Sequence, residues 1–169
     1  MENPRFTIAL IYDFDGTLAP GNMQEYDFIP AVGKSNKEFW EEANTLAEQQ
    51  DADGVLTYMA RMIQSARSKG LSLRREAFRE SGRKVQLYKG VKEWFERINR
   101  YGEERGIRIL HYINSSGLTE IIEGTEIAHE FRKIYACSFL YDVDGIAYWP
   151  AVAVNYTNKT QFIFKINKG

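Results

Sequence analysis

The sequence is short of several features that mark specialised classes of protein. It contains a single cysteine, Cys137, in 169 residues, so an intrachain disulfide is excluded and a reducing compartment is expected. The formal net charge is −1, and acidic and basic residues are interspersed along the chain, which argues against a nucleic-acid interface and a basic membrane-binding face. No segment is of low complexity. We therefore expect one globular domain, carrying at most a modest insertion.

Long apolar runs are also missing. The first apolar run, Phe6–Tyr12, is too short to cross a membrane and is closed by Asp13. It makes a poor signal peptide, because Glu2 precedes it and no small-residue cleavage site follows it. Together with the single cysteine, this run predicts a cytoplasmic protein that does not contact membranes.

The order of the predicted elements favours an α/β fold. Strands are predicted over stretches rich in β-branched and aromatic residues, namely FTIALIY, IRILHYI, KIYACSFLYD and IAYWPAVAVNY. Helical periodicity dominates from about residue 36 to 81 and returns in GVKEWFERINRYGEERG, in LTEIIEG and after residue 157. This order predicts a Rossmann-like parallel sheet with a helical segment inserted after the first strand.

Local signals predict several helix boundaries. Ser35 and Glu38 have the spacing of a capping box at the start of the helical block. Gly70 is expected to end the second helix of that block. Thr157 is predicted to cap the last helix of the chain.

Two stretches of the sequence resemble each other. LIYDFDGTL occupies residues 10–18 and FLYDVDGIA occupies residues 139–147. The second lacks the threonine, and its Asp-Gly pair lies between two predicted strands, which is typical of a hairpin turn. We therefore interpret Asp142 and Asp144 as turn residues and treat the first stretch as the candidate site.

The first stretch brings two carboxylates to the end of a buried strand. Reactive groups of a parallel α/β sheet lie beyond the carboxyl ends of its strands, where Asp13 and Asp15 are expected. Two close carboxylates repel each other unless a cation or a proton shares them, and Mg²⁺ prefers oxygen ligands of this kind. Gly16 permits a tight turn, and the Thr17 hydroxyl can brace it. A calcium loop does not fit, because no further ligands follow at the required spacing.

LIYDFDGTL resembles the first motif of the haloacid dehalogenase-like (HAD) superfamily, whose members are mostly Mg²⁺-dependent phosphatases. The resemblance implies that Asp13 attacks phosphorus and forms an aspartyl-phosphate. It implies that Asp15 is the general acid and base, which argues against a true dehalogenase. Asp13 and the backbone carbonyl of Phe14 are the implied metal ligands, and Thr17 is implied to bind substrate.

The second motif of the family is a serine or threonine at the end of the next core strand. IRILHYINSSG resembles it, in the form found in phosphoserine phosphatase-like members. By this resemblance Ser115 contacts the phosphoryl oxygens, while Ser116 and Gly117 supply backbone N–H groups. A serine at a helix N-terminus would offer the same donors to a phosphate, so the two interpretations agree.

The third motif of the family is a lysine that neutralises charge at the phosphoryl group. Lys159, at the start of the last predicted helix, resembles it best, and Lys165 and Lys168 remain alternatives. A lysine early in a helix opposes the helix dipole, which favours a functional role for Lys159.

The fourth motif, whose acidic residues complete the Mg²⁺ site in the family, is not found. We therefore expect this chain to be the N-terminal part of a longer phosphatase, with weak metal binding and very low turnover alone. In the family the fourth-motif strand pairs with the first strand. Its absence predicts an exposed edge at Phe6–Tyr12 and a possibility of self-association there.

The resemblance also implies a division of the chain. Segments 1–20 and 85–169 would form the HAD core, and segment 21–84 would form a helical cap that closes over the site. Glu25 is placed where phosphoserine phosphatase-like members recognise an amino group, although the surrounding pattern departs from theirs. The implied substrate is a small phosphorylated metabolite.

Two other functions remain open from the sequence. The chain could be a non-catalytic, HAD-derived binding or assembly module that holds phosphate or Mg²⁺ weakly. It could also belong to a phosphomutase, which shares the same motifs and differs in its product.

Overall fold

A four-stranded sheet forms the centre of the computed structural model, which describes residues 6–169. Residues 1–5, which begin the predicted core segment and include Glu2, lie outside the described residues. In spatial order the strands are β1 (Phe6–Tyr12), β2 (Ile107–Leu118), β3 (Lys133–Tyr141) and β4 (Ala147–Val152). β1, β2 and β3 are parallel, whereas β4 runs antiparallel to β3. The predicted α/β class with a Rossmann-like core is confirmed, and the sheet is mixed rather than wholly parallel because of β4.

Seven helices accompany the sheet in residues 6–169. They are α1 (Phe28–Ala31), α2 (Asn36–Gln50), α3 (Gly54–Lys69), α4 (Arg75–Gly82), α5 (Val91–Glu103), α6 (Thr119–Gly124) and α7 (Lys159–Lys168). The first five lie between β1 and β2, and α2, α3 and α4 fall in the helical block that the sequence predicts. Two short 3₁₀ turns, at 23–26 and 128–130, were not predicted.

The start of α2 and the end of α3 follow their local sequence signals. The Ser35 hydroxyl accepts the Glu38 N–H at 3.2 Å, and the Glu38 carboxylate accepts the Ser35 N–H at 2.8 Å. This is the predicted capping box. Gly70 follows α3 with φ 65°, in the left-handed region that favours glycine.

The predicted cap of α7 is wrong by one residue. The residue that precedes α7 is Asn158, and its side chain makes no capping hydrogen bond. Instead, the Asn155 side chain accepts the N–H groups of Thr157 and Asn158 at 3.0 and 3.2 Å. The Asn155 side chain thus caps the segment before α7, which is the role that the pattern assigned to Thr157.

Two glycines allow α4 and α6 to touch. A Cβ on Gly82 would lie 2.0 Å from the Ile121 carbonyl oxygen, and one on Gly124 would lie 1.9 Å from the Arg79 carbonyl oxygen. Only a residue without Cβ fits at either place. α4, the last helix of the predicted cap, therefore packs directly on α6, while the predicted division into core and cap stays a prediction.

β1 lies at one edge of the sheet. Within residues 6–169 it pairs with β2 only, and the side chains of Phe6 and Ile8 are 68% and 44% exposed. In the same part of the chain, no helix combines the length and the apolar character needed to cross a membrane.

Candidate active site

Asp13 and Lys159 meet at the carboxyl end of β1. Asp13 directly follows the strand, and its side chain is 43% exposed. Lys159 opens α7, and its Nζ donates to Asp13 Oδ2 at 2.5 Å. Lys165 and Lys168 lie in the last turn of the same helix. Of the three candidate lysines, the structure therefore brings Lys159 to the predicted nucleophile.

Asn114 holds the start of α7 against β2. Its side chain is 4% exposed, and its Nδ2 donates to the Lys159 carbonyl oxygen at 2.9 Å. The sequence analysis did not identify this residue. The available signal was a single amide side chain between the apolar run of β2 and the two serines that follow.

Asp15 is more enclosed than Asp13. Its Oδ1 accepts the backbone N–H of Met23 at 2.9 Å. Burial raises the pKa of Asp15 to about 7, the Met23 hydrogen bond opposes this shift, and the negative charge of Asp13 adds to it. A carboxyl group with this pKa can carry a proton near neutral pH, as a general acid must.

The turn after Asp13 is closed by the backbone of Phe14. The Phe14 side chain is fully buried, and its carbonyl oxygen accepts the N–H groups of Leu18 at 2.9 Å and of Thr17 and Ala19 at 3.2 Å. These bonds occupy the oxygen that the family resemblance assigned to the metal. The geometry therefore argues against Phe14 as a metal ligand. Thr17, predicted to bind substrate, is exposed on the outside of this turn.

The predicted phosphate loop lies where β2 changes register against β3. The pairing is interrupted between Asn114 and Leu118, and the fully buried Ser115 accepts the Gly117 N–H on its Oγ at 3.0 Å. A Cβ on Gly117 would lie 2.0 Å from Met23 Cε and 3.2 Å from Asp15 Oδ2. Gly117 thus allows the loop to approach Asp15, which places the first and second motifs side by side.

Glu25 is held by two donors from neighbouring elements. Its Oε1 accepts Asn22 Nδ2 at 2.7 Å and Trp40 Nε1 at 2.8 Å. Its Oε2 faces Gly21, where an added Cβ would lie 2.8 Å away. The Glu25 carboxylate is therefore fixed in position between the segment after β1 and helix α2.

A partly buried hydrogen-bond chain anchors the end of β1 to β2 and α5. The Tyr12 hydroxyl donates to His111 Nδ1 and accepts from Trp94 Nε1, both at 2.9 Å. His111 Nε2 donates to Asn99 Oδ1 at 2.9 Å. Burial lowers the pKa of His111, so its neutral form is favoured. We interpret His111 as a structural residue, because both of its ring nitrogens are engaged.

Metal-binding side chains are few around this site. Within residues 6–169, no group of three or more His, Cys, Asp and Glu side chains is arranged to hold a metal ion. Asp13 remains the exposed carboxylate at the site, which fits Mg²⁺ only if water and a substrate phosphate complete its coordination.

Comparison with known sequences gives one relative of note. No protein-family model matches the chain. An uncharacterized protein of Borreliella burgdorferi is 33% identical over 188 aligned positions, which cover 96% of this chain. The chain spans 65% of the length of that curated relative.

Comparison with solved structures identifies the fold. A HAD family hydrolase from Salmonella enterica serovar Typhi has a TM-score of 0.64 at 14% identity, over 96% of this chain and 51% of that one. A phosphoserine phosphohydrolase-like protein from Francisella tularensis has a TM-score of 0.60 at 20% identity, over 94% and 71%. A substrate-bound phosphoserine phosphatase has a TM-score of 0.62 at 12% identity, over 99% and 72%. The chain therefore has the HAD-like fold, of the kind found in phosphoserine phosphatases.

Proposed function

We propose that this chain carries the nucleophile, the general acid and base, and the neutralising lysine of a Mg²⁺-dependent phosphatase that hydrolyses small phosphate monoesters. The observation that carries the proposal is the 2.5 Å contact between Lys159 Nζ and Asp13 Oδ2. These residues are 146 positions apart, and they meet beside Asp15 at the end of the sheet where α/β proteins bind ligands.

In the first half of the reaction, a carboxylate oxygen of Asp13 attacks phosphorus. The bond between phosphorus and the ester oxygen breaks, and Asp15 donates its proton to that oxygen, so that a neutral alcohol leaves. The product on the protein is an aspartyl-phosphate at Asp13. The raised pKa of Asp15 agrees with its role as the acid in this step.

In the second half, the Asp15 carboxylate accepts a proton from a water molecule, whose oxygen attacks the same phosphorus. The bond between phosphorus and the Asp13 oxygen breaks, and inorganic phosphate leaves. Both side chains return to their starting states, with Asp13 ionised and Asp15 protonated.

The remaining residues bind the phosphoryl oxygens. Lys159 offsets negative charge that the phosphoryl group brings to the Asp13 carboxylate, while the Ser115 hydroxyl, whose Oγ accepts the Gly117 N–H, offers a hydrogen-bond donor on the other side. Asp13 would be the protein ligand of Mg²⁺, since the Phe14 carbonyl is engaged in its own turn. The bound cation would supply further positive charge to the phosphoryl oxygens.

A second candidate is a module that binds phosphate without turnover. It is favoured by the lack of a three-residue metal cluster within residues 6–169, because a weakly held cation would leave phosphoryl charge poorly compensated.

Phosphate release from a generic monoester, measured with and without Mg²⁺, separates the two candidates. We expect the full-length protein to release phosphate only when Mg²⁺ is present. Saturable phosphate binding without any release over a broad panel of small phosphate esters would favour the binding module. Release that does not depend on Mg²⁺ would contradict the phosphatase proposal as stated.

We also propose that the edge of β1 can pair with a second copy of the chain. The edge presents backbone donors and acceptors beside the exposed side chains of Phe6 and Ile8. Light scattering of the 169-residue chain should detect a dimer that Ile8→Lys converts to monomer, whereas Leu140→Lys, at an equally exposed position (43%) on β3, should leave the dimer intact. A wild-type monomer at high concentration would contradict this pairing.

A further inference from the structure

A tyrosine in the second turn of α3 reaches the predicted phosphate loop. Tyr58 is 6% exposed, and its hydroxyl donates to the Ser116 carbonyl oxygen at 2.7 Å. The two residues are 58 positions apart. α3 belongs to the helical block between β1 and β2, so this bond connects the inserted helices to the loop that follows β2.

The bond fixes the orientation of a whole peptide group. The Ser116–Gly117 peptide is trans, because the described chain contains no cis peptide bond. In a planar trans peptide, the carbonyl of one residue and the N–H of the next point in opposite directions. Holding the Ser116 carbonyl toward α3 therefore directs the Gly117 N–H away from α3, toward Ser115 Oγ, which accepts it at 3.0 Å.

Tyr58 is itself held firmly. Its ring meets the Trp40 ring edge to face, with centroids 5.7 Å apart, and Trp40 is anchored by its hydrogen bond to Glu25. Burial raises the pKa of Tyr58 well above its usual value, so the hydroxyl keeps its proton and remains a donor.

A second donor on the same carbonyl is weaker. Cys137 Sγ lies 3.2 Å from the Ser116 oxygen, but a thiol is a poor hydrogen-bond donor. The same sulfur also accepts the Val154 N–H at 3.2 Å. Removal of the Tyr58 hydroxyl would therefore leave the Ser116 carbonyl with a poor partner and allow the peptide to rotate.

We infer that Tyr58 is a positioning residue, which acts through the Ser116 carbonyl and the Gly117 N–H to hold Ser115 Oγ, so that the Ser115 hydroxyl proton is directed at a phosphoryl oxygen in the site. This inference rests on the proposed function for the identity of the ligand. It makes the inserted helical block part of the phosphate-binding geometry, in addition to any part it takes in choosing the substrate.

The test compares Tyr58→Phe with Thr57→Val in the full-length protein. Tyr58→Phe keeps the ring and its contact with Trp40 but removes the hydroxyl. Thr57→Val is the matched control, since the Thr57 hydroxyl is equally buried on α3 and donates to the Gly54 carbonyl at 2.9 Å, in its own helix. The probe is orthovanadate with Mg²⁺, which mimics a phosphoryl group during transfer.

Tyr58→Phe should weaken vanadate binding about tenfold, because one hydrogen bond no longer orders the loop. The loss of kcat/KM should be about 10- to 100-fold, as for other small misplacements of a catalytic group. The NMR amide signal of Gly117 should shift and exchange faster in Tyr58→Phe, while Thr57→Val should resemble the wild type in all three measurements.

Equal vanadate affinity in Tyr58→Phe and wild type, or an unchanged Gly117 amide, would overturn the inference. If the wild type binds no vanadate, the proposed function fails, and the Gly117 amide still decides the role of Tyr58. Should Tyr58→Phe fail to fold, Cys137→Ala decides the question. That variant should keep wild-type vanadate affinity, and a loss there would assign the positioning to the thiol instead.

Discussion

Residues 10–18 and 139–147 share the pattern Tyr-Asp-x-Asp-Gly, yet their aspartates have different surroundings. In the first stretch, the residue between the two aspartates, Phe14, is fully buried. In the second, the corresponding Val143 is fully exposed at 102%. Asp13 contacts Lys159 from a distant helix, whereas the Asp142 carboxylate accepts N–H groups of its own turn.

The surroundings of the aspartates differ because the second stretch is a turn between antiparallel strands, whereas the first follows a strand in the parallel part of the sheet. The second stretch joins antiparallel strands β3 and β4, and Gly145, with φ 74°, donates its N–H to the Asp142 carbonyl at 3.0 Å. The Asp142 carboxylate accepts the N–H groups of Asp144 and Ile146, both at 2.9 Å. The predicted hairpin turn is confirmed. One carboxylate is used to close a turn, and the other is presented at the end of a parallel sheet.

The largest expected effect distinguishes Asp13 from Asp142, which are the first aspartates of the two stretches. Asp13→Asn should lower phosphate release by about 10³-fold or more, because it removes the attacking oxyanion. Asp142→Asn changes the same side chain in the same way and should leave kcat unchanged. Steady-state assays of both variants measure this directly. Similar losses in the two variants would show that the stretches do not differ in function.

The lysine contact should have the next largest effect. Lys159→Gln should reduce kcat by about 10²- to 10³-fold, because it removes a positive charge that the transition state needs. Lys165→Gln, on the last turn of the same helix, serves as the control for general effects on α7. If Lys165→Gln lowers kcat and Lys159→Gln does not, the third motif has been assigned to the wrong lysine.

Alanine substitutions at the two turn glycines should have a smaller effect, with similar losses of stability at both positions. Gly16 and Gly145 have φ values of 71° and 74°, and an added Cβ would meet no atom within 4 Å at either position. Alanine at each should therefore destabilise the protein by a similar amount, about 1 kcal/mol of backbone strain. Denaturant titration tests the stability. Only Gly16→Ala should also lower kcat, and an equal loss in Gly145→Ala would contradict the comparison.

The smallest expected effect depends on pH. The pKa of His111 is lowered in the folded protein by burial, so the unfolded chain binds more protons as the pH falls below the usual value of 6.5. The stabilisation from neutral His111 is complete above that pH and is lost below it, as protonation breaks the bond from Tyr12. The loss should be about 1 kcal/mol, the value of one hydrogen bond.

Urea titrations at neutral and acidic pH measure this loss. His111→Asn should remove this part of the pH dependence, and His129→Asn, at an exposed histidine, should keep it. Amide exchange should show that acid loosens the end of β1 before the β3–β4 hairpin. Simultaneous loosening of both would contradict the assignment of the effect to His111.

The sequence predicted the elements that depend on local patterns. The apolar run of β1, the capping box at Ser35 and the Asp-Gly hairpin each arise from residues close in the chain, and the structure confirms them. The contact between Asp13 and Lys159 was anticipated only through the family resemblance, because periodicity alone does not say which distant helix returns to a strand end.

The residues that were missed act over long distances. Tyr58 and Asn114 reach carbonyl groups 58 and 45 positions away, and such partners are set by packing rather than by local sequence. The hydrogen bonds at the Phe14 carbonyl, which argue against its assignment to the metal, were not anticipated for the opposite reason, since a tight local turn forms them. The cytoplasmic location and the boundaries of the cap stay predictions.

Trapping of the phosphorylated residue tests the central claim most directly. The full-length protein is mixed with substrate and Mg²⁺, quenched in acid during turnover, and mapped by tandem mass spectrometry. We predict one phosphoryl group on Asp13 and none on Asp142 or any serine, with no signal in Asp13→Asn. A phosphoryl group trapped on another residue, or the same signal in Asp13→Asn, would contradict the account.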